Sequence, residues 1–270
     1  MIPGVPVSVV VPCYCCAATL GRAVDSVISQ TMPPLEIILV DDGNMGSTRD
    51  EILRIQETHG REGVRVIRFD CNQGPSAARN AGWDAAGGEY VAFLDSDDTW
   101  VARKLEHQYG VMKTNPGIAL SGSPGLRVGG KPGPAAGGVG AGSAPEAVSV
   151  WQLLISNRFR TSSVMVRTDL PLRFNTEKRF SEDYLLWLEI LLDGYPAVWI
   201  NEPLVMVHKP SYGSSGLSQD LTDMEKGELD VFFRLLRQRR ISAPVAMAAM
   251  GLSLIKYCRR IYLLALGIEK

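Results

Sequence analysis

Asp95, Asp97 and Asp98 fall within four residues of "FLDSDDTW", directly after the apolar run Tyr90–Leu94. Carboxylates massed at the mouth of a buried strand are costly unless positive charge compensates them. Oxygen donors at this density suit a hard divalent cation, Mg²⁺ or Mn²⁺. Such a cation takes one or two protein carboxylates and fills its other positions with water and phosphate. Asp41 and Asp42, in "DDG", end another apolar run, and Glu182 and Asp183, in "SED", open a helical pattern. Ser181 stands at the capping position there, and the positive helix end stabilises carboxylate while keeping it a weak base. A carboxylate so placed can accept the proton of an attacking hydroxyl. By residue type alone the same acids also serve as turn and cap residues, Asp98 most readily, before the helix that starts near Trp100.

These acids must be held by the elements around them. "VSVVV", "EIILV", "VRVIRF" and "YVAFL" read as strands, nearly continuous in apolar residues, as strands buried on both faces are. Helical patterns separate them: one over "TLGRAVDSVISQT" with Thr19 as N-cap, one capped by Ser47, one with Pro75 in its first turn. The β-α-β-α order implies an α/β fold with a mostly parallel sheet flanked by helices. Ligands of such sheets bind at the carboxyl ends of strands, where "DDG" and "DSDD" both fall. From Gly122 to Gly142 there are nine glycines and three prolines in 21 residues, the composition of a loop or crossover. Beyond it "AVSVWQLLIS" reads as helix, "SSVMVR" as strand, "EDYLLWLEILLDG" as helix, and "AVWI" and "PLVMVH" as strands. The expected division is residues 1–121, a loop at 122–146, a second half of the same domain at 147–218, and a helical extension at 219–270.

Composition is that of a globular protein, with 46% hydrophobic and 21% charged residues. A net charge of -1 provides no field favouring nucleic acid. The N-terminal stretch lacks a signal-peptide pattern, and no apolar run reaches the roughly 20 residues that span a bilayer, which points to the cytoplasm. Five cysteines without a second metal-spaced pair read as structural thiols. Residues 231–260 carry seven basic side chains and no acidic one. That pattern suits either a solvated basic face or peripheral contact with an anionic membrane at its inner face.

The blocks "VSVVVPCY", "EIILVDDG", "GPSAARNAGWDAAGGEYVAFLDSDDTW" and "RFSEDYLLWLEIL", in that order, resemble family 2 glycosyltransferases of the GT-A fold. The resemblance is dense from Val7 to about Trp100 and weaker in the last block. It implies an inverting transferase that moves a sugar from a nucleoside-diphosphate donor, a UDP-sugar above all, to a glycan or lipid-linked acceptor in cell-surface polysaccharide or glycolipid assembly. Pro12, Tyr14 and Asp42 would then hold base and ribose. Arg79, Asp95 and Ser96 would face the diphosphate sugar. Asp97, with Asp95 and His208, would bind Mn²⁺ or Mg²⁺, and Asp183 would be the base with Glu182 beside it. Two departures touch the base pocket: Cys15 where the family has Asn, and two residues inserted after "DDG". Two other readings compete. "AFLDSDDTW" also fits the first motif of haloacid-dehalogenase-type phosphatases, and the chain could be a nucleotide-sugar-binding subunit without turnover.

Overall fold

The computed structural model describes residues 4–60, 63–128, 144–208 and 220–265. The first strand, β1 (Val5–Cys13), is central: Val9 and Val11 enter one core and Val10 the other, which is why its apolar residues do not alternate with polar ones. α1 (Ala17–Ile28) lays Leu20, Ala23, Val24 and Val27 against it. The helix starts earlier than the Thr19 cap implied. Its first N–H groups, those of Cys16 and Ala17, both donate to Thr48 Oγ1 at 3.1 Å. The cap therefore comes from the neighbouring helix. β2 (Pro34–Asp41), α2 (Ser47–His59), β3 (Val64–Arg68), α3 (Pro75–Asp84) and β4 (Tyr90–Phe93) follow as expected, with Pro75 in the first turn of α3. Ser47 is the first residue of α2 and not its cap. α3 crosses β1 so closely that a Cβ on Gly82 would stand 2.3 Å from Val10 Cγ1.

Next come β5 (Thr99–Trp100), α4 (Lys104–Thr114), β6 (Leu120–Gly122) and β7 (Gly125–Arg127). The glycine-rich segment thus begins as sheet, not as loop, because β7 pairs in parallel with a later strand. Its remainder, residues 129–143, lies outside the described residues. β8 (Glu146–Val148) precedes the short α5 (Val150–Ile155), where one helix was expected. The Ser149 side chain and Gln152 form a reciprocal capping box that sets the start of α5. A 3₁₀ turn at Thr161–Ser163 leads into β9 (Met165–Arg167), then α6 (Glu182–Leu192), β10 (Ala197–Trp199), β11 (Val205–Val207), α7 (Leu221–Arg237) and α8 (Ala243–Ala265).

The main sheet has the order β3-β2-β1-β4-β9-β6-β10-β8. β9 and β8 run against the other strands, so the sheet is mostly parallel, as expected. A second small sheet, β5-β11-β7, was not expected; it lies beside the strand end that carries the aspartates. On one side of the main sheet, Trp83, Phe93, Phe174 and Trp187 pack edge to face with centroids 5.2–6.3 Å apart. This aromatic layer underlies the carboxyl end of β4.

Candidate active site

Two of the three acidic stretches, those of Asp95 and Glu182, converge on one cation. Arg79, on α3, is buried, which fits neither a surface charge nor an open phosphate contact. Its Nη2 donates to Asp95 Oδ1 at 2.8 Å and its Nη1 to Glu182 Oε1 at 3.0 Å. The guanidinium also lies 5.4 Å from the centre of the Phe174 ring. Burial alone would depress its pKa; the charges of Asp95 and Glu182 outweigh burial and raise it. Arg79 therefore supplies the positive partner that the carboxylates require, and it ties the end of β4 to the start of α6.

Asp183 lies next to this pair. Its Oδ2 accepts from Thr161 Oγ1 at 3.1 Å and its Oδ1 from the Tyr184 N–H at 2.7 Å. Burial raises its pKa above the ordinary carboxylate value, against the lowering effects of Arg79 and these two donors. The sequence implied a carboxylate weakened as a base by the helix end; burial acts in the opposite direction. Glu182 is raised as well, by burial and by the Asp183 charge. Ser181 occupies the N-cap but its side chain caps nothing; its backbone is left-handed, with φ 57°. That conformation is uncommon for a non-glycine residue.

The aspartate loop is shaped by the 3₁₀ turn. Ser162 Oγ accepts from the Asp95 N–H at 3.3 Å and donates to Asp98 Oδ2 at 2.7 Å. Asp98 is buried, and burial together with the Asp95 charge pushes its pKa up to about 6. Asp98 is thus an internal support of the loop and not the cap of α4. Asp97 is half-buried, and its backbone carbonyl accepts from Arg22 Nη2 at 3.2 Å. Ser96 is half-buried in the loop. His208, at the end of β11, meets Thr99 Oγ1 at 2.9 Å. Burial and the Arg22 charge lower its pKa, opposed by Asp97.

Asp95, Asp97 and His208 do not form a closed metal cage: no three ligating side chains converge among the described residues. The donor set still fits a cation held mainly by a diphosphate, since Mg²⁺ or Mn²⁺ in such sites needs only one or two carboxylates.

Beyond the loop lies a cleft of about 460 Å³ lined by Tyr14, Cys15, Gly43, Asn44, Met45 and Thr48. Tyr14 is 54% exposed and offers a ring face. Pro12 is half-buried near the end of β1. Asp42, expected at base or ribose, is buried: its oxygens accept from Asn72 Nδ2, the Gln73 N–H and the Gly74 N–H. It organises the loop before α3 instead of standing open to a ligand. The insertion after "DDG" supplies Asn44, which donates to Cys13 O and Asp41 and accepts from the Cys15 N–H, bracing the strand ends against each other. Asn44, Thr48, Thr161 and Ser162 were not singled out from the sequence.

Comparison with known proteins fits this geometry. Residues 8–135 match the family described as glycosyl transferase family 2. Over 191 residues the chain is 30% identical to the Escherichia coli UDP-Glc:alpha-D-GlcNAc-diphosphoundecaprenol beta-1,3-glucosyltransferase WfaP, covering 71% of this chain and 72% of that protein. The S. aureus TarS 1-349 structure in complex with UDP-GlcNAc superposes with a TM-score of 0.70 at 17% identity, over 97% of this chain and 76% of that one. Mannosyltransferase PcManGT from Pyrobaculum calidifontis, in complex with GDP-Man and Mn2+, gives 0.68 at 17% identity, over 98% and 78%. The fold is thus of the GT-A type, and the phosphatase reading is set aside, since a haloacid-dehalogenase motif would end the first strand of its domain whereas Asp95 follows the fourth. Carboxylates gathered at the strand ends of such a sheet, in a chain sharing these relatives, have one explanation: the protein is a family 2 glycosyltransferase, related to enzymes of polysaccharide and glycolipid biosynthesis.

Proposed function

We propose that the chain transfers a sugar from a UDP-sugar to a hydroxyl of a lipid-linked glycan, with inversion at the anomeric carbon. The observation that carries this reading is the placement of Asp183 beside an Arg79-centred cluster that also holds Asp95 and Glu182. Tyr14 stacks on the base above the cleft. Asp95, held in place by Arg79, positions the sugar, and Asp97 with His208 would hold a divalent cation. Bound Mn²⁺ or Mg²⁺ supplies the charge that stabilises the departing nucleoside diphosphate, so no general acid is needed. Asp183 takes the acceptor proton while the acceptor oxygen bonds the anomeric carbon and the bond from that carbon to the phosphate oxygen breaks. Thr161 and the Tyr184 N–H orient Asp183 for that transfer, and Glu182, tied to Arg79, fixes the pose of both. A UDP donor and a diphosphoundecaprenol acceptor are those in the name of WfaP, and Mn2+ is that of the PcManGT complex. The test is incubation with UDP-sugars and a polyprenyl-diphosphate-linked acceptor, with mass spectrometry of the product and NMR of its anomeric configuration. A product that retains the donor configuration would sink the inverting mechanism. Nucleotide binding without any turnover would favour the non-catalytic subunit.

A further inference from the structure

We propose that α8 and the adjoining side of α5 form an apolar ridge that seats in the surface of an anionic lipid bilayer, beside the acceptor end of the active site. The proposal rests on the reading of the acceptor as lipid-linked. α8 packs Ala246, Ala249 and Ser253 against the domain. On its opposite side Met247, Leu254, Ile255, Ile261 and Tyr262 are 42–68% exposed. Their spacing of seven and eight residues places them on one face of the helix. Trp151, 64% exposed, and Ile155, 56% exposed, extend this surface from α5. Between the two helices runs a groove of about 300 Å³ walled by Leu154, Val245, Ala248 and Leu252.

Charge decides what covers the ridge. Residues 231–265 contain no acidic side chain. Of the basic ones, Arg234, Arg240 and Arg260 are ion-paired with Asp230, Asp193 and Glu225. Arg237, Arg239 and Arg259 are exposed, and Lys256 bonds the Ile155 carbonyl at the groove. An exposed apolar face on a stretch that carries exposed cations and no acid fits anionic headgroups, whereas a second copy would bring like charges together. No described helix is long and apolar enough to cross a membrane, so α8 would lie in the interface plane. The sequence left open a solvated basic face or membrane contact; the structure turns an apolar face of α8 outward. The ridge also reaches the chemistry. Tyr184, next to Asp183, donates its hydroxyl to the carbonyls of Leu153 at 2.8 Å and Leu154 at 3.3 Å, and Leu154 lines the groove.

The test is flotation of the full chain with vesicles of phosphatidylglycerol and phosphatidylcholine, and with phosphatidylcholine alone. Wild type should float with the anionic vesicles. Ile255→Glu/Tyr262→Glu, at two exposed positions, should keep its Tm and its stabilisation by UDP while losing about tenfold or more in vesicle partitioning. Wild type that stays with the soluble fraction, or a variant that floats as well as wild type, overturns the proposal. So does a wild-type dimer in sedimentation that the variant dissolves without vesicle binding, which would assign the ridge to a second copy. Vesicle binding without any stabilisation by UDP supports the ridge and counts against the donor reading alone.

Discussion

Arg79 Nη1 stands 3.0 Å from Glu182 Oε1, joining residues 103 positions apart. The same guanidinium holds Asp95, so one buried cation fixes the distance between the end of β4 and the start of α6. Arg79→Met should leave Glu182 buried and unpaired, a loss of about 3–5 kcal/mol. Because Glu182 and Asp183 already titrate high, the loss should be largest at pH 7 and shrink toward pH 4 as both protonate. Urea midpoints at the two pH values check this; an equal loss at both would mean that Arg79 acts by packing on Phe174.

As the proposed base, Asp183 would act only as the acceptor proton leaves. Asp183→Asn should bind donor within a few-fold of wild type and lose ~10²- to 10⁴-fold in turnover. Glu182→Gln should lose less, since Glu182 orients through Arg79. Both are measured at saturating donor. A dead Glu182→Gln beside a near-normal Asp183→Asn would move the base to Glu182.

Much of this architecture could be read from residue order. Strands such as β1 are buried on both faces, so their apolar runs are unbroken and plain to see, and Pro75 marks the start of α3. The carboxylates were legible because charge at a strand end has few other uses. Their supports were not. Thr161 and Ser162 are small neutral residues whose value comes from standing opposite Asp183 and Asp98, and nothing local marks them. Thr48 caps α1 from another helix, which the presence of a capping residue type at Thr19 conceals in the sequence. The β5-β11-β7 sheet is built from strands of two or three residues, too short to show a period. Asp42 has the residue type of a ligand contact, and only the coordinates reveal that loop 72–74 already engages it.

Asp97 follows a strand buried along its length, so its position is set before any ligand arrives. Asp97→Ala should fold normally and lose the Mn²⁺-dependent part of the thermal stabilisation by a UDP-sugar. Ligand at 100-fold excess over its dissociation constant contributes about 2.7 kcal/mol, which a melting scan resolves. An unchanged Mn²⁺ requirement in the variant would exclude Asp97 as the metal-binding carboxylate.

Asp98 gives the fold a pH dependence of definite sign. Its pKa rises from 3.8 to about 6 on folding, with burial as the leading cause. Between those values the unfolded chain has released a proton that the folded chain still holds. Stability therefore falls as pH rises through that window and is level above it. A gap of about two units corresponds to about 3 kcal/mol, in a side chain that is almost wholly buried. Asp98→Asn removes the charge and keeps an oxygen to accept from Ser162. The variant should melt higher than wild type at pH 7.5 and together with it near pH 4. A variant that melts lower at pH 7.5 would show that the ionised Asp98 is compensated in the folded protein, by Arg160 or by a bound cation, and that its charge is part of the site.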